Sequence, residues 1–141
     1  MLRWTLSLQQ HVKNICKAAY LELRRISSIC KYLSVDATKT IVCSLVLSRL
    51  DCCNSILSDS SPYLLRKLKK VQNTAARIIL RVPGSEHTSP LLCTLHCLSI
   101  RSRIKHKICS LCYVLPTGSS PTYLSDLTHV YTPARYLTLL F

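Results

Sequence analysis

Residues 62–80 carry the pattern that most constrains the fold, because their apolar and polar side chains separate onto two faces of an α-helix. The apolar residues recur at steps of three and four and form one stripe, which consists of Leu64, Leu68, Val71, Ala75 and Ile78. The same steps place a mostly cationic set on the opposite face, namely Arg66, Lys70, Asn73 and Arg77. This segment therefore predicts a helix with one apolar and one basic face.

Start and stop signals flank this helix. Ser61 supplies a hydroxyl that can cap free N–H groups, and the fixed φ of Pro62 suits the first helical position. Pro83-Gly84 predicts the end of the helix. No acidic residue lies between Ser60 and Ser85, so the positive charge of the segment is uninterrupted.

The composition favours a helical chain with a polyanionic partner. Only two of the 141 residues are glycine, which disfavours a turn-rich β-sandwich, and 48% are hydrophobic, which argues against a disordered chain. A formal net charge of +13 makes the chain repel itself and suits nucleic acid first and an anionic membrane surface second.

Helical spacing continues on the N-terminal side. Ser7–Leu33 keeps it throughout and predicts one long helix. Ser34 predicts the cap of a second helix, with Asp36 in its first turn. The continuation of that helix, Ile41–Leu57, is too densely apolar for a single stripe, which predicts the buried central helix of the core, with a kink near Asp51 as an alternative.

The C-terminal part carries three further segments. Ser89-Pro90 opens a short helix, Ser99–Leu115 predicts a longer one, and Pro121–Leu127 predicts a short helix after a loop. The chain beyond Tyr131 is predicted to be extended or disordered. We therefore expect an all-α, single-domain helical bundle over residues 1–115, followed over residues 116–141 by a loop, a short helix and a poorly ordered tail.

The N-terminus and the cysteines bear on location. Met1–Leu6 is too short for the apolar core of a signal peptide, and no apolar run approaches the roughly 20 residues of a membrane span. We expect an intracellular protein, in the nucleus or cytoplasm and without a membrane partner, whose nine cysteines stay reduced.

The chain is poorly supplied for catalysis. Its acidic residues are scattered with no two adjacent, at Glu22, Asp36, Asp51, Asp59, Glu86 and Asp126. Two-metal chemistry needs paired carboxylates, and phosphate-binding loops need glycines, and neither pattern is present. We expect no enzyme activity, no cofactor and no small-molecule substrate.

A zinc-binding module is one alternative. Cys93, His96 and Cys97 lie close together, and Cys109 and Cys112 follow at a spacing that resembles a zinc site. Because cysteine often packs as a small hydrophobe, we expect instead that these four thiols are mostly buried and metal-free.

Aromatic and apolar side chains leave a second alternative open. Tyr63, Tyr113 and Tyr123 could stack on bases, but their helical apolar positions favour a place in the core. His96 and His106 are expected to be structural or partly exposed. A protein-interaction module, whose apolar helices pack on a partner, is the remaining alternative.

Five segments, in their order and spacing, resemble the C-terminal part of the reverse transcriptase of non-LTR (LINE-type) retrotransposons. They are VLSRLDCCNSIL (Val46–Leu57), KLKKVQNTAARIIL (Lys67–Leu80), HTSPLLCTLHCLSIRSRIKHKI (His87–Ile108), PTYLSDL (Pro121–Leu127) and YTPAR (Tyr131–Arg135). Ser7–Ser27 also resembles the helix that follows the palm of that enzyme, so the resemblance runs from about Leu6 to Leu137.

The resemblance implies a thumb and the connection after it, a helical region that holds a primer–template duplex by its backbone. The catalytic aspartates of such enzymes belong to the palm, upstream of this region, and their aromatic-x-Asp-Asp motif does not occur in the sequence. The expected partner is RNA, DNA or their hybrid, bound without sequence preference. The candidate contacts are eight basic residues and one asparagine of the helices predicted over residues 62–80 and 99–115: Arg66, Lys67, Lys69, Lys70, Asn73, Arg77, Arg101, Arg103 and Lys105.

Several positions depart from the family pattern. Cys97 stands where the family usually has Trp, Ser99 where it has Pro, and Cys52 and His106 where it has aromatic residues. Loss of a large aromatic from a core costs about 3–5 kcal/mol when the site does not collapse. Met1–Thr5 matches nothing in the family, and the apolar end Thr138–Phe141 differs from its usually polar end. These departures suggest a palm-less genomic remnant without selected function.

Overall fold

In a computed structural model of the protein, the described backbone comprises residues 2–52 and 54–114 together with Tyr123, and the described side chains begin at Leu8. Within these residues the chain is all-α and contains no β-strand, which confirms the predicted fold class. The predicted loop, tail and, apart from Tyr123, short C-terminal helix lie outside the described residues. The chain divides into two compact units, Met1–Lys105 and His106–Phe141, and the elements below belong to the first unless stated.

Helix α1 spans Leu2–Ile29 and continues as a 3-10 turn over Cys30–Tyr32. The predicted helix over Ser7–Leu33 is therefore confirmed, with an earlier start. Its buried side chains recur at steps of four and three, as the sequence pattern requires for one packed face: Val12, Cys16, Ala19, Leu23 and Ile26.

Helix α2 spans Val35–Val42 and begins as predicted. The Oγ atom of Ser34 accepts a hydrogen bond from the Ala37 N–H at 3.2 Å, which satisfies one free donor of the first turn. A π-helical turn, Cys43–Leu47, and a short helix α3, Ser48–Asp51, continue it.

The helix does not run to Leu57 as expected, because it ends at Asp51, the residue near which the sequence analysis allowed a kink. Cys52 has an extended backbone with ψ 118°, and a separate 3-10 turn, Asn54–Leu57, follows. The Asn54 amide donates to Oδ1 of Asp51 at 3.2 Å, so a side-chain pair holds the break.

The apolar segment Ile41–Leu57 is not buried on most sides, contrary to expectation. Val46 and Leu50 are in the core, whereas Leu45 is 42% and Ile56 is 61% exposed. Helix α4, Pro62–Leu80, packs against α1, α2 and α5.

Helix α4 begins at Pro62 as predicted, but the hydroxyl of Ser61 makes no capping hydrogen bond. The Ser61 carbonyl instead accepts from the Leu64 N–H at 3.0 Å. The predicted stripe is buried except at its end, where Ile79 rather than Ile78 reaches the core.

The end of α4 is set by Arg81, two residues before Pro83. Arg81 adopts a left-handed conformation with φ 55°, and its N–H donates to the Arg77 carbonyl. Its guanidinium donates to the Cys30 carbonyl at 2.6 Å and to the Leu33 carbonyl. The C-terminal ends of α1 and α4 are thereby joined.

Helix α5, Thr88–Thr94, begins one residue before the predicted Ser-Pro start, and α6 spans Ile100–Val114. Ile100 and Ile104 are buried in the first unit. The described part of the second unit consists of residues 106–114 of α6 and Tyr123.

Candidate nucleic-acid interface

The exposed cations of α4 are Arg66, Lys69 and Lys70. Residues three and four apart are neighbours on a helix surface, so these side chains form one cluster within about one turn. Among the described residues none of the three forms an ion pair with an acid. We call Arg66, Lys69 and Lys70 the α4 cation cluster.

Lys67 lies beside this cluster but turns toward an aromatic ring. Its Nζ atom is 4.5 Å from the centroid of the Tyr63 ring, a cation–π geometry. Its charge also acts on the Cys16 thiol of α1, in the direction that lowers the thiol pKa, although burial has the larger effect and raises that pKa. Lys67 is therefore half-buried between these neighbours and less available to an external anion.

Arg77 and Asn73 occupy the far end of the basic face, and both are partly covered. Nη2 of Arg77 donates to the Glu86 carbonyl at 3.1 Å, which holds the connection after α4 against the helix. Nε of Arg77 and Oδ1 of Asn73 are buried without a hydrogen-bond partner among the described residues. Arg77 and Asn73 are therefore partly covered by the protein itself, whereas the three side chains of the α4 cation cluster are exposed.

Arg103 is held by an acid. Its Nε donates to Oδ1 of Asp51 at 2.8 Å and its Nη2 contacts Oδ2 of the same carboxylate, which makes a forked ion pair between α6 and α3. The hydrogen bond to Asp51 raises the pKa of the Arg103 guanidinium, against a smaller opposing effect of burial. Arg101 and Lys105, on either side of it in sequence, are exposed.

Gln72 joins α4 to the start of α6, the two helices that carry the candidate cations, and the sequence analysis did not single it out. Its side chain is only 2% exposed, with Nε2 donating to the Leu98 carbonyl at 2.7 Å and Oε1 accepting from the Ile100 N–H at 3.1 Å. The start of α6 is thereby fixed to α4. The signal in the sequence was a glutamine beside the apolar stripe, because a buried amide needs partners of its own.

Other acids of the first unit pair with cations outside the α4 cluster. Oε1 of Glu22 lies 3.4 Å from Nη1 of Arg25 and 3.7 Å from Nη2 of Arg49. Asp51 is taken by Arg103. Glu22 and Asp51 therefore do not pair with the positive charges of the α4 cation cluster.

The expectation that Cys93, Cys97, Cys109 and Cys112 are mostly buried was wrong. Cys97 is half-buried and the other three are exposed. No group of three or more His, Cys, Asp or Glu side chains that could hold a metal ion occurs among the described residues.

The core position expected for the three tyrosines was also wrong, because Tyr63, Tyr113 and Tyr123 are all exposed. Helical spacing gives the face of a residue relative to its neighbours, but it does not say how far the core extends along the helix. His96, which has a left-handed backbone with φ 53°, and His106 are exposed.

The four positions at which the sequence differs from the reverse-transcriptase pattern are also not core positions in this fold. Cys52 and His106 are exposed, and Cys97 and Ser99 are half-buried. Because Cys52 and His106 are exposed, their side chains leave no internal cavity, and the core penalty considered for a lost aromatic does not apply at these two positions.

Two further findings concern the chain as a whole. No helix in the described ranges has the length and apolar character needed to cross a membrane. Comparison with protein-family models, with curated proteins and with solved structures finds no match.

Proposed function

We propose that this chain is a thumb-like segment of a LINE-type reverse transcriptase that binds nucleic acid by its phosphate backbone and does not itself catalyse polymerisation. The observation that carries the binding proposal is the α4 cation cluster, three exposed positive side chains with no acid paired to them in the described structure. The proposed origin rests on the five sequence segments. A partner of this kind would be met in the nucleus or cytoplasm.

The geometry of the cluster suits a phosphate backbone. Arg66 and Lys70 are four residues apart, which is about 6 Å along the helix axis. Successive phosphates of one DNA strand advance by about 3.4 Å along the duplex, so the cluster can neutralise two or three of them. Such contacts position a duplex but carry no sequence information, which fits binding to RNA, DNA or a hybrid.

Binding would also relieve a cost within the protein. Lys69 and Lys70 are adjacent in sequence, and Arg66 lies on the turn before them. Charges closer together than the Debye length, which is about 8 Å at physiological salt, are incompletely screened, so these three cations repel one another. A polyanion removes this repulsion and releases its own condensed counterions. In a remnant of such an enzyme, this nonspecific binding would be the activity that persists.

The test is the salt dependence of binding to a short duplex. Replacing the α4 cation cluster with glutamine (Arg66→Gln, Lys69→Gln, Lys70→Gln) should flatten the log–log salt slope by about two to three units, because each neutralised phosphate adds about 0.9. Helix stability should change little, since glutamine is a good helix former and these side chains are exposed. Arg77 is left in place because it holds the Glu86 carbonyl.

The control removes the same charge from another exposed surface. Lys13, Lys17 and Lys31 are exposed residues of α1 and the turn after it, and their replacement by glutamine should change the slope less. Equal flattening by both triple variants would show a diffuse cationic surface without a role for α4. If the parent chain does not bind the duplex at low salt, nucleic-acid binding itself is excluded.

A further inference from the structure

A cavity of about 270 Å³ lies beside the start of α4. Its described lining comes from three places: the first part of α1, the connection before α4, and the first turn of α4. The residues used below are Gln9, Ile56, Asp59 and Tyr63. Pockets for drug-sized ligands are usually about 300–1,000 Å³, so this cavity suits one smaller flat group.

Two large apolar side chains at this cavity are left open to solvent. Tyr63 is 58% and Ile56 is 61% exposed, although both could reduce their free energy by contact with another apolar surface. An aromatic ring and a branched aliphatic side chain that line the same cavity can contact the faces of a planar ring. The cavity therefore favours an aromatic ligand.

The Tyr63 ring already has a cation on one face, the ammonium of Lys67 at 4.5 Å. A ligand ring would then stack on the opposite face. Arg66 and Lys70 of the α4 cation cluster lie about one and two helical turns after Tyr63. An aromatic ligand that also carries a negative charge could therefore reach both the ring and these cations. A base joined to a phosphate has both properties.

The polar lining can meet the edge of a base. The Gln9 amide offers both a donor and an acceptor, and the Asp59 carboxylate offers acceptors. Amide and carboxylate side chains are suited to the amino groups of adenine and cytosine. Asp59 also disfavours a phosphate inside the cavity, which keeps the backbone on the cation side.

We infer that this cavity holds one unpaired nucleobase, stacked on Tyr63, while the phosphates of the same strand lie on the α4 cation cluster. The inference rests on the proposed nucleic-acid binding and adds to it a preference for an unpaired end. Stacking on an aromatic side chain is worth about 1–3 kcal/mol per base, which corresponds to about five- to 150-fold in affinity.

The experiment compares two DNA hairpins that differ only in one unpaired 3′ base, the fluorescent adenine analogue 2-aminopurine. The parent chain should bind the overhang hairpin at least about five-fold more tightly than the blunt one and should quench the fluorescence of the analogue. Tyr63→Ser should abolish both the gain and the quenching, while Tyr63→Phe should keep them. Tyr20→Ser, at another exposed tyrosine on α1, should keep them as well.

Blunt-hairpin affinity should be the same in all four proteins, because the phosphate contacts are unchanged. Equal affinity of the parent for both hairpins, or equal losses in Tyr63→Ser and Tyr20→Ser, would overturn the base-binding inference. In either case the salt slope on the blunt hairpin still tests the α4 cation cluster by itself. Failure to bind either hairpin would overturn the proposed function, and with it this inference.

Discussion

Besides the two arginines that pair with Glu22, three arginines of the first unit bind oxygens of the protein itself. Arg77 donates to the Glu86 carbonyl, Arg81 to the carbonyls of Cys30 and Leu33, and Arg103 to the carboxylate of Asp51. The planar guanidinium carries five donors, so it can join two segments of backbone or grip a carboxylate with two bonds. The lysines of α4 lack this geometry, and the exposed charge of the helix comes mostly from them.

Two thiols of the first unit give the chain a predicted alkaline weakness. Burial raises the pKa of the Cys16 and Cys43 thiols above the ordinary value of 9.0, and the nearby Cys97 raises that of Cys43 further. The unfolded chain therefore loses these protons at a lower pH than the folded protein does. The contribution of these two thiols to stability should be fully present below pH 9 and should be lost as the pH rises through their raised pKa values in the folded protein.

Urea unfolding between pH 8 and pH 10 under reducing conditions measures this effect. The Cys16→Ala, Cys43→Ala variant should show a flatter pH dependence than the parent, even though it is less stable at pH 8. A control variant, Cys93→Ala with Cys109→Ala at exposed thiols, should keep the slope of the parent. A parent slope unaffected by removal of the Cys16 and Cys43 thiols would show that other groups control the alkaline transition.

Helix α4 was predictable because several local signals agree over nineteen residues. Its stripe, its proline at the first position and its charge separation all specify the same helix. Its neighbours across space were not predictable in this way. Gln72 receives its role from the Leu98 carbonyl and the Ile100 N–H, which lie 26 and 28 residues away in sequence.

The π-helical turn over Cys43–Leu47 is a feature of the second helix that the sequence analysis did not predict. A π-helical hydrogen bond spans five residues instead of four, which shifts the faces of the helix. Val42 and Leu47 are both buried, five residues apart, while Leu45 at the ordinary spacing of three is exposed. Val42, Val46 and Leu50 nevertheless keep steps of four through the turn and are all buried, so one core-facing stripe is continuous. The apolar residues off that stripe, such as Leu45, are exposed, and their number in the sequence does not reveal this.

The Arg103–Asp51 pair predicts different roles for two arginines of α6. Arg103→Gln should lower the free energy of unfolding by roughly 1 kcal/mol and leave the salt slope of nucleic-acid binding unchanged, because the charge is already paired. Arg101→Gln, which removes one exposed charge, should leave stability unchanged and flatten the slope by at most about one unit. A flatter slope for Arg103→Gln alone would mean that Arg103 leaves Asp51 to contact phosphate.

At the scale of the molecule, fold class and element order followed from composition and periodicity, and the extent of the core did not. The long helices were predicted to within a few residues at most ends. The exposure of Tyr63, Cys109 and Cys112 depends on which surfaces have neighbours, and periodicity carries no information about that. The same holds for the candidate contacts. Only the tertiary structure shows which of these cations are exposed and which are bound to other parts of the protein.

The distribution of acids predicts a chain without polymerase activity of its own. Glu22 and Asp51 are bound to arginines, and no cluster of carboxylates suited to divalent ions occurs in the described structure. Purified protein incubated with a primed template, magnesium and deoxynucleotides should give no extension above a blank. Templated extension that follows the protein through successive purification steps would contradict this prediction.

The bond between Arg81 and the Cys30 carbonyl joins residues 51 positions apart, at the ends of two helices that pack together. A ribosome adds about 5–20 residues per second, so the apolar face of α1 waits roughly 3–10 s for its partner helix to be made. During that interval Val12, Ala19 and Leu23 have no α4 to cover them. The nascent chain then exposes an apolar face on a segment that carries a net positive charge, so a molecule that binds either feature can contact it at the ribosome before α4 is made.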